Sequence, residues 1–305
     1  MNLNNTIKNI LVVYYSQSGQ LKQIANNFVL PFVNNGEDVE FYKIKPINDF
    51  PFPWKSEQFF NAMPECVAGI PTELNEPIFN RETYDLIVFA YQPWYLSPSI
   101  PATSILLNTE FKKRLKNTPV ITLIGSRNMW TMAQEQVKKH IKNAGAILVG
   151  NVVLHDRNAN LISAVTVQYW MFTGKKDKWL GVFPKPGISD EDILSAEKYG
   201  EIVLEHFKNN NLHNLQSELI KNKALQVKSN ILFIESRGYM MFKIWARTVL
   251  KKRNRKLWIH LFKCYLIFVL FIVSPLILLF YILFIKPFLL NKIKKQKEYY
   301  LKNIQ

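Results

Sequence analysis

An apolar run, Ile10-Leu-Val-Val-Tyr-Tyr15, turns through Ser16-Gln17-Ser18-Gly19-Gln20 into a segment with Leu21, Ile24, Ala25 and Phe28 at three- and four-residue spacing. The first part is β-branched and aromatic, as a buried strand requires, and the second part has the period of a helix face. The join is polar and carries one Gly. Two hydroxyls and the first amides of a helix around one point suit a phosphate, because the helix dipole and the free N–H groups favour an anion there. The same turn also serves as a plain helix cap.

The rest of the chain repeats the alternation. Val39 to Lys45 reads as a second, partly exposed strand, and Asp85 to Tyr91, Pro119 to Gly125 and Ala146 to Leu154 as three more. Helical patterns lie between them, and Ser189, three residues before Asp192, opens one that is expected to run to about Lys208. The expected fold is therefore α/β, a doubly wound parallel sheet of five strands in the order 2-1-3-4-5. Residues 161–174 fit a helix or an added strand equally well. Residues 46–80, with Phe50, Phe52, Trp54, Phe59 and Phe60 among six prolines, are too aromatic for a disordered linker and read as a structured lid or insertion, or as a packed surface loop that only shields the sheet edge.

In an open parallel sheet, ligands bind beyond the carboxyl ends of the strands. Two further loops leave such ends. The third strand runs into Gln92-Pro93-Trp94-Tyr95, where a planar heterocycle could stack, or where the aromatics simply cover the sheet. The fourth runs into Gly125-Ser126-Arg127-Asn128, which offers close backbone approach and hydrogen-bonding groups, or an ordinary cap and a solvent charge.

Charge divides the chain. The net charge of +16 suggests nucleic acid, but residues 1–210 hold 21 Lys/Arg against 20 Asp/Glu, and residues 211–305 hold 18 against 3. A basic segment beside a long apolar run points to an anionic lipid membrane and away from nucleic acid. The expected organisation is a 1–210 domain, a basic amphipathic linker at 211–256, a membrane segment at 257–285 and a basic tail at 286–305. Cys264 to Ile285 alone is about 33 Å as a helix, enough to span a bilayer core. Pro275 and the matched basic flanks leave a single pass and a re-entrant hairpin both open. Two cysteines, Cys66 and Cys264, imply no disulfide framework and fit a reducing compartment. The polar start lacks a secretory pattern, so the main domain is expected in the cytoplasm at the inner membrane.

The phrase Tyr14-x-Ser16-x-Ser18-Gly19-x-x-x-x-Ile24-Ala25 resembles the FMN phosphate loop of flavodoxin-like proteins. The resemblance implies FMN as cofactor, held by Ser16, Gln17, Ser18, Gly19, Gln20 and Leu21, with Pro93, Trp94 and Tyr95 and then Gly125, Ser126, Arg127 and Asn128 around the flavin. Leu21 stands where flavodoxins usually carry Thr, so the loop has one hydroxyl fewer. Together with Pro51-Phe-Pro-Trp54, Tyr91 to Pro101 and Gly125 to Trp130, the chain is similar to the dialkylresorcinol condensing enzymes of aryl-polyene and flexirubin-type pigment pathways. That likeness implies work on a membrane-bound resorcinol lipid.

Three functions follow as expectations: an FMN-dependent oxidoreductase acting on a lipophilic aromatic or quinone-like small molecule; a flavin-free condensing or cyclising enzyme; and an electron carrier without catalysis. A ketosynthase-type condensation needs a nucleophilic Cys with His partners. No His can be placed beside Cys66, and His140, His155 with Asp156, and His206 read more simply as surface or helix-end residues. Nothing in the sequence fixes the oligomeric state.

Overall fold

The computed structural model describes residues 7–302. The polar start at 1–6 and the last three residues of the expected basic tail lie outside that range. The chain runs β1 (Asn9–Tyr14), α1 (Gln20–Asn34), β2 (Asp38–Lys43), α2 (Ser56–Asn61), α3 (Met63–Ala68), β3 (Leu86–Tyr91), β4 (Pro93–Trp94), β5 (Ser97–Pro98), α4 (Ile100–Leu107), α5 (Thr109–Leu115), β6 (Pro119–Ser126), α6 (Thr131–Asn143) and β7 (Ile147–His155). Then follow α7 (Asn160–Thr173), α8 (Asp190–Leu194), α9 (Ala196–Lys208), α10 (Leu212–Lys221), α11 (Ser229–Lys251) and one 48-residue helix, Arg255–Lys302.

Five strands pair in parallel in the order β2-β1-β3-β6-β7, which is 2-1-3-4-5 once the two-residue strands β4 and β5 are set aside. This is the flavodoxin-like doubly wound sheet that the alternation predicts. β3 is buried along its whole length, as a central strand covered on both faces must be. On one side α1 packs against α9, and Gly200 makes that contact possible: a Cβ there would stand 1.8 Å from the carbonyl oxygen of Phe28.

Several details refine or depart from the sequence reading. Of the two alternatives left open for residues 161–174, the helix is the one found: α7 covers them up to Thr173, and Gly174 ends it with φ 75°. The helix opened by Ser189, whose hydroxyl accepts from Asp192 N at 3.1 Å, breaks at Ser195 into α8 and α9. The 46–80 segment is a structured insertion and not merely a surface loop, since it folds into α2 and α3, and Met63 and Val67 pack against Ala246, Val249 and Phe262.

The core also extends past residue 210. Leu215, Leu219, Ala224, Leu225 and Leu232 are buried in the same cluster as the strands, and Gly150 of β7 leaves room for the Leu215 and Leu219 side chains. A buried polar chain crosses that boundary. Tyr91 Oη donates to Gln134 Oε1 (2.8 Å), Gln134 Nε2 to Thr122 Oγ1 (2.9 Å) and Thr122 Oγ1 to Asn151 Oδ1 (3.0 Å). Asn151 N donates to Gln216 Oε1 (2.9 Å), and Gln216 Nε2 to the Leu301 carbonyl (2.6 Å). The first half of the expected linker is therefore part of the sheet's packing, because its apolar side chains complete the face of β7.

Candidate functional site

The carboxyl ends of β1, β3 and β6 open on one cavity of about 240 Å³. Gln17, Ser18, Gln20 and Leu21 line it from the first loop, Pro93, Trp94 and Tyr95 from the second, and Gly125, Ser126 and Arg127 from the third. Ten of the thirteen residues expected at the site thus meet around one space.

Three do not line it. Ser16 turns its hydroxyl back to accept from Lys22 N at 3.2 Å, which caps α1. Gly19 supplies the turn itself, with φ +85°, where a side chain would be strained. Asn128 donates to Asn160 Oδ1 at 2.8 Å and lines a second cavity, of about 790 Å³. An Asn two residues past the strand end reaches the start of α7 more readily than the space beyond β6.

The first loop is held from two sides. Gln17 Nε2 donates to the Pro51 carbonyl at 2.8 Å, and Gln20 exchanges two bonds with Ile188, giving Nε2 to its carbonyl at 2.9 Å and accepting from its N–H at 3.2 Å. Ser18, by contrast, lines the cavity directly before the Gly19 N-cap of α1. The first amides of α1 have no intrahelical acceptor, as at any helix start. Leu21 is buried and packs on the backbone of Gly125, where a Cβ would stand 3.2 Å from its Cδ1. The residue that replaces the usual Thr therefore joins the first loop to the third through apolar contact.

The second loop is a tight hairpin. Tyr95 and Leu96 both take positive φ, 48° and 62°, and Tyr95 Oη donates to the Phe59 carbonyl. Trp94 meets Tyr15, Phe50 and Trp54 edge to face, with centroids 6.1, 5.1 and 5.4 Å away. In the third loop Arg127 is fixed by Nη1 bonds to the Asn160 carbonyl (2.8 Å) and Oδ1 (2.9 Å). Burial lowers its pKa to about 10, with Asp156 and Glu235 opposing, so the guanidinium remains charged at neutral pH.

Sequence reasoning missed the opposite wall. Phe52, Trp54 and Phe59 come from the 46–80 segment, Val167, Trp170 and Met171 from α7, and Gly187 and Ile188 from the loop before α8. The aromatic density of 50–60 was a usable signal for the first three. No spacing marked Trp170 or Gly187, which meet only in the fold, where a Cβ on Gly187 would lie 2.8 Å from the Trp170 ring.

Two residues of the cavity lining, Trp54 and Ser126, each carry a buried polar atom, Nε1 and Oγ, with no hydrogen-bond partner among the described residues. Buried polar groups are rarely left so, and both are suited to a bound molecule with acceptors or donors along a flat edge. The residues present therefore fit a phosphate-bearing planar heterocycle: hydroxyl and amides at one end, aromatic rings at the middle, and Ser126 and Arg127 at the other side.

The thiol and imidazole candidates do not form a catalytic centre. Cys66 is buried and donates to the carbonyls of Trp94 (3.2 Å) and Pro98 (3.3 Å), and burial pushes its thiol far up. Asp156 accepts from Asn158 N (2.9 Å) and Ser163 Oγ (2.7 Å) at the start of α7, while His206 contacts the Asn211 carbonyl at 3.0 Å. His140 and His155 are lowered from the usual imidazole value, first by burial and then by neighbouring cations.

No family model and no curated protein matches the chain. Among solved structures it is similar to a Lactobacillus acidophilus flavoprotein in complex with FMN, at 19% identity over 48% of this chain and 93% of that one, with a TM-score of 0.39. It is also similar to an archaeal flavodoxin (12% identity, 66% and 99% covered, TM-score 0.37) and to the Megasphaera elsdenii flavodoxin (15%, 50% and 88%, 0.30).

Proposed function

We propose that the chain is a flavodoxin-like FMN-dependent oxidoreductase, held at an anionic membrane, that acts on a lipophilic aromatic or quinone-like compound. The observation that carries this reading is the convergence of three strand-end loops on one cavity with unpartnered Trp54 Nε1 and Ser126 Oγ in its wall. Bound FMN would supply the electron and hydride chemistry. Ser18 and the α1 amides would hold the phosphate, Trp94, backed by Trp54, would lie against the ring, and Ser126 and Arg127 would bond its polar edge. Phe52, Phe59, Val167 and Met171 exclude water and leave an apolar space for a flat, poorly soluble partner.

The substrate class rests on that lining and on the basic, apolar C-terminal region. The similarity of 51–54, 91–101 and 125–130 to dialkylresorcinol condensing enzymes supports a place in the synthesis or tailoring of a resorcinol lipid. The buried Cys66, hydrogen-bonded to two carbonyls, argues against a thiol nucleophile and so favours flavin chemistry over condensation. Detergent-solubilised full-length protein should take up FMN and quench its fluorescence, and anaerobically reduced protein should reoxidise on addition of a lipophilic quinone. Flavin uptake with no quinone-dependent reoxidation would leave an electron carrier for another acceptor.

A further inference from the structure

The C-terminal helix, Arg255–Lys302, is long and apolar enough to cross a membrane. Both of its ends, however, are fastened to the same domain. At one end Arg255 forms a two-pronged pair with Glu65 of α3, Nη1 to Oε1 and Nη2 to Oε2, each 2.7 Å, and Phe262 is wholly buried against Phe60, Phe242 and Trp245. In the middle Tyr281 stacks on Phe233 of α11 with centroids 3.7 Å apart, and Lys286 Nζ donates to Asn230 at 3.1 Å. At the other end Tyr299 Oη donates to Glu135 of α6 at 2.8 Å, and the Leu301 carbonyl accepts from buried Gln216.

The order of these contacts shows the geometry. Phe262 meets the C-terminal part of α11, and Tyr281 and Lys286 meet its N-terminal part, so the two helices run antiparallel along the domain. A pass through the bilayer would carry Arg255 and Tyr299 to opposite sides, although Glu65 and Glu135 belong to one folded unit. The outward face is apolar from Leu261 to Phe288, with Leu261, Phe268, Leu276, Phe280, Phe284 and Phe288 exposed. Lys256 and Lys263 stand at one end and Lys292, Lys294 and Lys295 at the other. Beneath the helix, the cavity of about 790 Å³ is lined by Lys223, Lys228 and Lys297 beside Leu278 and Leu301.

We propose that this helix lies in the plane of one leaflet of an anionic bilayer, with both of its ends and the flavodoxin-like domain on the same side. The apolar face sinks among the acyl chains, and the lysines at its ends and in the cavity below take the phosphates of acidic headgroups. This goes beyond the functional reading and shares with it only the association with a membrane; no flavin enters its test.

Spin labels on full-length protein in phosphatidylglycerol vesicles measure it, with Cys264→Ser as background and single cysteines at Leu261, Leu276 and Phe288. Oxygen and nickel accessibility should place all three labels at one shallow depth, about 5–10 Å below the headgroups. A label at Leu276 near the bilayer centre, with Leu261 and Phe288 at interfaces, would overturn the proposal, since those positions lie about 22 and 18 Å along the helix from Leu276. So would strong label-to-label coupling without vesicle binding, which would mean that a second copy covers the face. Binding to neutral phosphatidylcholine vesicles should be weaker by about tenfold or more. In intact spheroplasts a tag after Gln305 should resist external protease; its digestion there would show a crossing.

Discussion

Glu235 of α11 accepts a 2.7 Å hydrogen bond from Thr131 Oγ1 and a 2.9 Å bond from Met132 N, so a buried carboxylate far along the chain caps the helix that follows the Gly125–Asn128 loop. Burial raises its pKa to about 7, while the Met132 and Thr131 bonds and the charge of Arg127 pull the other way. A Glu in an unfolded chain titrates near about 4.3. Because the folded value is the higher one, this group's stabilising contribution is complete below that point and is lost as the pH rises through about 7. Glu235→Gln should therefore flatten the pH dependence. Relative to the Gln variant, the native protein should lose up to about 3 kcal/mol of stability between pH 4.5 and pH 8 in parallel denaturant titrations.

Gly200→Ala should be among the most damaging single substitutions in the domain. The added methyl meets the backbone of Phe28, which cannot move without separating α1 from α9. A loss of about 3 kcal/mol or more, or failure to accumulate folded protein, is the expected outcome. Gly145→Ala makes a useful comparison, since its nearest neighbour is a flexible Lys116 side chain at 3.8 Å. At φ +74° it should cost about 1–2 kcal/mol through backbone strain alone.

Chain ended after Asn210 should not yield the domain as a stable soluble piece. It lacks Leu215, Leu219, Leu225 and Leu232, all buried, and Glu235 with them. Each lost apolar side chain removes about 1.5–3 kcal/mol of burial, and the four together are comparable with the whole stability of an ordinary domain. Circular dichroism melts of the truncated and full-length proteins compare the two directly; a sharp, unshifted transition in the short form would contradict the packing described here.

This boundary also shows what the sequence could reveal. The strands, their order and the three loops were legible because period-2 and period-3.6 patterns report local burial, and a parallel sheet brings its strand ends together. The role of α10 was not. Leu212 to Lys221 is amphipathic like many surface helices, and only Gly150 on β7, some sixty residues away, gives Leu215 and Leu219 their place. Trp170 and Gly187 escaped for the same reason: their contact depends on how α7 and the α8 loop pack, which no local pattern encodes. Charge counting identified an amphiphilic C-terminal region but could not show that both ends of its long helix are tied to one domain.

Cys66 should be inert in the native protein. Burial and its bonds to two carbonyls hold the thiol protonated. Maleimide should label one cysteine, Cys264, in the folded form and two after denaturation. Cys66→Ala should cost about 1–2 kcal/mol in stability yet retain activity; loss of turnover in a folded Cys66→Ala protein would revive the thiol mechanism.

The central claim, a flavin site built from three strand-end loops, is tested most directly by equilibrium dialysis of FMN against detergent-solubilised full-length protein and its Ser18→Ala variant. We predict binding of about one FMN per chain, weakened by about 1–3 kcal/mol when the Ser18 hydroxyl is removed. Absence of binding at tens of micromolar FMN, or an affinity unchanged in the variant, would contradict the site as assigned.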